Sequence, residues 1–215
     1  TMKKYINNFL LHIYFIVFHI VAISAAFLSY FGVLALYTGL IIVLITLWSS
    51  NWNWELVSFK TSTWRKSFNH ALLLAIPVYA TVFIIYKLVE ISIGSIDLSS
   101  FDAIRGNPDR LILIILFSWI SASLGEELFF RGYLLNQLKQ LFHKSKISSL
   151  LALLISSIVF SFAHLYQGIP GVVNVFLVGA LLGIIFIKYK NLKLVILLHA
   201  IIDTISLLLL YFDLL

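Results

Sequence analysis

The chain has 215 residues, of which 61% are hydrophobic and only 11% charged, and its mean hydropathy is +1.04. Soluble domains carry about 25% charged residues, so a water-facing core of this length cannot bury so much apolar surface, and lipid is the expected solvent for most of it. The net charge of +6 does not point to nucleic acid, because the basic residues stand in small clusters beside apolar runs and form no stripe. With no cysteine in the chain, disulfide and thiol chemistry are excluded.

After Lys3 and Lys4, no acidic or basic residue other than histidine occurs from Tyr5 to Trp54. That run exceeds the hydrophobic region of a signal peptide, about 7–15 residues, and it continues past the small, cleavage-like residues Ala22 to Ala26. It is read as an uncleaved anchor holding two spans, 9–28 and 33–48, with a turn near 29–32. Five further apolar runs follow at 70–89, 111–130, 147–166, 171–187 and 192–212. The expected fold is all-α: a polytopic membrane helical bundle of about seven transmembrane helices. Residues 1–215 are expected to form a single integral-membrane domain, with a core over 111–212.

Several details fit this layout. Trp48, Trp52, Trp54 and Trp64 crowd one interface as an aromatic belt. Pro108 and Pro170 fall where spans begin, and Pro77 is expected to kink the third span. The polar loop 90–110 is expected to carry a short interfacial helix. Gly179 and Gly183 have the small-xxx-small spacing that admits a close neighbouring helix.

Charge sets the orientation. With a cytoplasmic N-terminus, Lys3, Lys4, Lys60, Arg65, Lys66, Lys139, Lys144, Lys146, Lys188, Lys190 and Lys193 all fall inside. Arg105, Arg110 and Lys87 then fall outside with Asp97, Asp102 and Asp109. The positive-inside rule thus predicts an odd number of spans and an outside C-terminus. The Lys-, Ile-, Leu- and Asn-rich composition and short loops point to a bacterial plasma membrane.

Against this apolar background stand Glu126, Glu127, His164, His199 and Asp203. An ionisable group within a bilayer costs roughly 2.5–3.5 kcal/mol on insertion scales, so five in three neighbouring spans signal a function. Glu127 and Arg131 are four apart, on one helical face and in the favourable order for an ion pair. Glu126 is turned about 100° from its neighbour. The expected division is Glu127 neutralised by Arg131, with Glu126 facing a cavity. The plainer reading is that both acids mark a helix end at the cytoplasmic surface. His164 follows Phe160 by four residues and shares its face. A lone histidine is more often a hydrogen-bonded structural residue, as His12, His19 and His70 are read. Asp203, one turn beyond His199, is harder to dismiss: its cheapest partner is His199 or an incoming group.

Together these residues resemble the CAAX-protease and bacteriocin-processing family of intramembrane endopeptidases, which includes the Rce1-type prenyl-protein proteases. That family carries Glu-Glu-x-x-x-Arg, then Phe-x-x-x-His, then His-x-x-x-Asn or Asp. Here these are Glu126-Glu127…Arg131, Phe160…His164 and His199…Asp203. The flanks Phe130-Arg131-Gly132 and Leu198-His199-Ala200 agree as well, and the resemblance covers 111–211.

The resemblance implies an endopeptidase acting on a membrane-associated peptide or protein, with the lipid bilayer as its other partner. Glu126 would be the general base and Glu127 its acidic neighbour, with His164 holding the water and His199 and Asp203 facing the scissile carbonyl. Arg131 and Phe160 would support the site. Where the family often has Asn, this chain has Asp203, and an ionised carboxylate cannot donate to an oxyanion. Asp203 is therefore expected either to stay protonated or to orient His199. No metal is expected to be required. The alternative is Zn²⁺ held by Glu126, His164, His199 and Asp203 with one position open to water; no His-Glu-x-x-His helix is present.

Two readings outside proteolysis compete: an ion-coupled transporter and a non-catalytic membrane immunity protein. No internal duplication or pair of interrupted spans supports the first, and retention of all three motifs weighs against the second. Convergence carries a geometric condition. Counting about 1.5 Å per residue, His164 lies deeper from the cytoplasmic side than His199. The helices must tilt, or the fourth must extend past Arg131 so that Glu126 sits nearer mid-membrane.

Overall fold

The computed structural model describes residues 2–10, 15, 32–59, 62–142 and 147–215. Almost all of the expected first span lies outside these, as do the run at 22–26, His12, His19, Lys60, Lys144 and Lys146. Among the described residues the chain is all-helical, with no strand. Helix α1 is Met2–Leu10, α2 is Gly32–Ser49 and α3 is Trp64–Ser92. Helix α4 runs unbroken over Pro108–Leu141. Helices α5 (Ser148–Phe162), α6 (Gly168–Tyr189) and α7 (Leu192–Tyr211) complete the order.

Local chemistry sets the helix starts. The side chains of Thr63, Asn107 and Asn191 accept from the backbone N–H of Lys66, Arg110 and Leu194, satisfying one orphan donor each at α3, α4 and α7. Pro108 occupies the first turn of α4, where a missing N–H does no harm. Helix α3 continues through Pro77 as one element, a proline position that membrane helices tolerate.

Four helices are long and apolar enough to cross a membrane: Trp64–Ser92, Pro108–Leu141, Leu165–Tyr189 and Leu192–Tyr211. Leu36–Ser49, within α2, and Ser148–Phe162 are apolar but shorter. Of the seven expected spans, then, four meet the length criterion, two are short, and the first is outside the described residues. The outer faces behave as lipid contacts. Ile76 and Ile91 are each 81% exposed and Leu73 74%, on a helix with few polar neighbours. A soluble monomer rarely tolerates so continuous an apolar surface; an integral membrane protein requires it.

Helix α4 is the central element. Phe129, Phe130, Tyr133, Leu134 and Leu135 are all buried against α2, α5 and α7. Glycines let the neighbours close in: a Cβ on Gly39 would lie 2.8 Å from the Phe129 ring, and one on Gly183 would collide with Leu153. This is the close approach expected of the small-residue stripe on α6.

Both ends of α7 are pinned. At its start, Asn191 donates to Ser67 on α3 at 2.9 Å, and Lys193 donates to the Ser62 carbonyl at 2.7 Å. Lys193 also sits 4.7 Å from the Phe59 ring centroid and 5.6 Å from that of Trp64, inside the expected aromatic belt. At its far end, Arg105 pairs with Asp102 and Asp213, and Ile104 packs with Leu111, Leu207 and Leu210. The short helix expected in the polar loop is the 3₁₀ segment Ser99–Ile104. Hydrogen bonds from Ser99 hold the Asp97 carboxyl of this loop below the usual range.

Gly183→Val would force a branched side chain into the space of Leu153. Overpacking of this kind costs about 1–3 kcal/mol, so the variant is expected to melt lower in detergent by circular dichroism, whereas Ile184→Val on the exposed side should not.

Candidate active site

Only the ends of α4, Pro108–Phe117 and Asn136–Leu141, are α-wound; Ser118–Leu135 between them is π-wound. Such i→i+5 winding is rare and marks functional sites more often than chance. It holds both acids and Arg131. Because each hydrogen-bonded ring contains one more residue than in an α-helix, the angular step between side chains falls below about 100°. Glu126 and Glu127 therefore project closer together than the α-helical expectation. The helix also extends ten residues past Arg131, to Leu141. This meets the condition for bringing Glu126 toward the middle of the span.

Glu127 is fully buried and is the hub. Its Oε1 accepts from Arg131 Nη1 at 2.8 Å and lies 2.8 Å from His199 Nδ1. The Glu127–Arg131 pair is the one expected; the contact from His199 is additional, and it brings α7 against α4. Arg131, 1% exposed, also donates from Nη2 to the Gly179 carbonyl on α6 at 3.0 Å. Its guanidinium lies over Phe160 on α5, 4.3 Å from the ring centroid. Arg131 thus joins three helices, and Glu127 adds α7 through His199. A side chain on Gly179 would meet Phe160 at 2.8 Å and Arg131 at 3.4 Å, so this glycine is what lets α6 reach the guanidinium.

The histidines gather around Phe160. His164 lies just beyond the end of α5, its ring 5.2 Å from Phe160 and its Nδ1 3.3 Å from the Phe160 carbonyl. His199 meets the same ring edge-on at 6.3 Å. Tyr166 stacks on His164 at 5.9 Å. Asp203 Oδ1 is 3.6 Å from His199 Nε2, beyond normal hydrogen-bond length. Its Oδ2 accepts from Ser118 Oγ at 2.6 Å, and the next residue pair repeats the link: Trp119 Nε1 donates to Thr204 Oγ1 at 3.0 Å.

Glu126 behaves differently from its neighbour. The Oε2 atoms of both acids are buried with no hydrogen-bond partner, but Glu127 has Arg131 and His199 on its Oε1; a buried unpartnered acceptor costs about 1–3 kcal/mol for a neutral group and more for a charge. The charges of His199, Asp203, Glu127 and Arg131 all act on Glu126, as those of His199 and Arg131 act on His164. The acids and both histidines therefore share one electrostatic neighbourhood. Among the described residues, Glu126 and His164 do not hydrogen-bond each other. Nor do any three His, Asp or Glu side chains there form a group able to hold a metal. His199 commits Nδ1 to Glu127 and leaves Nε2 facing Asp203 at 3.6 Å.

The sequence signalled every motif residue but not Ser118, Tyr166 or the Gly179 carbonyl. Gly179 stood out for packing alone. Ser118 lies 85 positions from Asp203, and no local spacing connects them.

Residues 108–205 match the protein family described as type II CAAX prenyl endopeptidase, Rce1-like. The resemblance drawn from the three motifs is borne out over that segment, which contains Glu126, Glu127, Arg131, Phe160, His164, His199 and Asp203. A match to this family suggests an intramembrane protease. No characterised protein and no solved structure matches the chain.

Removing one partner of a buried ion pair strands the other charge, at a cost of about 3–5 kcal/mol. Arg131→Met is expected to lower the melting temperature sharply. Glu127→Gln added to Arg131→Met should recover part of the loss, and a double variant no more stable than the single one would contradict the pairing.

Proposed function

We propose that this chain is an intramembrane endopeptidase, hydrolysing a peptide bond of a membrane-associated peptide or protein. The observation that carries the proposal is the Arg131–Glu127–His199 network with the buried, unpartnered Oε2 of Glu126 beside it, within the segment that matches the protease family. A buried acceptor without a donor is a position where water is stabilised. A neutralised neighbour leaves Glu126 as the acid free to act on it.

In this reading a water enters a cavity among α4, α5 and α7. Glu126 takes one of its protons, and His164 holds the resulting nucleophile. The water oxygen bonds to the scissile carbonyl carbon, and the carbonyl oxygen becomes an oxyanion facing His199 and Asp203. Glu126 then returns the proton to the amide nitrogen, the oxyanion re-forms its carbonyl as the C–N bond breaks, and a carboxylic acid and an amine leave, the acid passing its proton to the amine. Arg131 and Phe160 hold the histidine side of the site in place. No metal is required in this scheme, so cleavage should survive exhaustive chelation.

The distribution of basic residues supports a cytoplasmic N-terminus and an outside C-terminus. The short loops and composition favour a bacterial plasma membrane and a substrate that need not be prenylated.

Two experiments test this function. Purified protein in lipid nanodiscs is incubated with quenched fluorescent peptides, one farnesylated at a C-terminal CAAX box and one not. The peptides shed from cell membranes are compared in parallel. Glu126→Ala and His164→Ala should each reduce cleavage at least 100-fold without loss of folding. Equal peptide profiles from wild type and Glu126→Ala cells would defeat the proposal. The cysteine-free chain also permits single-cysteine labelling in intact cells. A cysteine at Asp109 should react with an impermeant maleimide, and one at Lys139 only after permeabilisation.

A further inference from the structure

Resting on the hydrolytic reading above, we infer that Ser118 is a positioning residue: its hydroxyl holds the Asp203 carboxylate away from His199 and so keeps the His199 Nε2 proton available to the oxyanion.

The contacts around Asp203 form a consistent chain of donors. Arg131 donates to Glu127, which therefore carries its negative charge. His199 Nδ1, on the same Glu127 oxygen at 2.8 Å, must be a donor as well. Ser118 donates to Asp203 Oδ2 at 2.6 Å. With Nε2 also protonated, Arg131 Nη1, His199 Nδ1 and Ser118 Oγ each donate to a carboxylate oxygen, while the Nε2 proton stays unspent. In this arrangement Asp203 is a carboxylate that accepts from Ser118.

The 3.6 Å separation between His199 Nε2 and Asp203 Oδ1 then acquires a meaning. Closing it would spend the Nε2 proton on Asp203. Ser118, 7% exposed at the start of the π-wound stretch, anchors the other carboxylate oxygen and prevents that closure. Asp203 remains near enough to stabilise the imidazolium but too far to occupy its proton. The departure from Asn is accommodated in this way: the donor to the oxyanion is His199, and Asp203 supplies charge. The adjacent Trp119–Thr204 bond ties the same helices together without touching the chain of donors, which makes it the natural control.

The test takes a peptide whose cleavage Glu126→Ala abolishes. Loss of a transition-state donor typically costs about 10²–10³ in kcat. Ser118→Ala is expected to lower kcat at least tenfold with KM within about twofold, and Ser118→Thr to restore most of it. Ser118→Ala should add nothing to Asp203→Ala, and Trp119→Phe should leave kcat unchanged. A wild-type kcat in Ser118→Ala, additive losses in the double variant, or an equal loss in Trp119→Phe would each overturn the inference. Isotope-edited infrared difference spectra of wild type against Asp203→Asn decide the ionisation separately from turnover. A carboxylate band for Asp203 supports the inference and an acid carbonyl band overturns it. If no peptide depends on Glu126, the hydrolytic reading fails, and the infrared result still decides the state of Asp203.

Discussion

The site depends on one buried carboxylate. Glu127 has no solvent exposure, and its single bonded oxygen holds Arg131 from its own helix and His199 from α7. Inside a bilayer no water competes for these partners, and a stranded charge there has no cheap refuge. Arg131 then extends the same constraint to α6 through the Gly179 carbonyl and to α5 through the Phe160 ring. Four helices thus meet in one network. Both Oε2 atoms lack a partner, but Glu127 has two donors on its other oxygen, and Glu126, next in sequence, is the acid outside that network.

The network needs α4 to be both long and unusually wound. A 34-residue helix that continues to Leu141 keeps the acids well inside the span, where two acids at the end of a 20-residue helix would lie at the surface. The π-wound stretch spans Ser118 to Leu135, and all of the α4 contacts to the site fall within it: Ser118 to Asp203, Glu127 to His199, Arg131 to Gly179. Such winding is intrinsically less favourable than the α-helix. Here the cross-helix bonds to buried charges compensate it.

How much of this was legible in the sequence depends on the range of the physics. The all-helical membrane class followed from composition, and α3, α6 and α7 fell where the apolar runs predicted them, because hydropathy is additive along the chain. The Glu127–Arg131 pair followed from a spacing of four. Span length was less legible: α5 stops at Phe162, short of the expected 166, because Gly168, at φ 73, and Pro170 open the next helix. The bond from His199 to Glu127 and the bond from Ser118 to Asp203 join positions 72 and 85 apart. No periodicity reports such contacts. They emerge from packing alone, and so did the π winding, which no residue in 118–135 announces.

The motif-free N-terminal half is tied to the chemistry through packing. Phe129 and Gly132 in α4 pack on Gly39 and Val57, and the cap of α7 is held by Ser67 while Lys193 is held by Ser62. None of these four anchors lies within the segment 108–205 that matches the protease family. Yet they fix the rotation of α4 and the depth of α7, and those two variables determine whether His199 meets Glu127. A displacement of one helical turn, about 5.4 Å, would exceed the 2.8 Å bond between them nearly twofold. The family segment therefore carries the charged network, and Gly39, Val57, Ser62 and Ser67 contact the helices that form it.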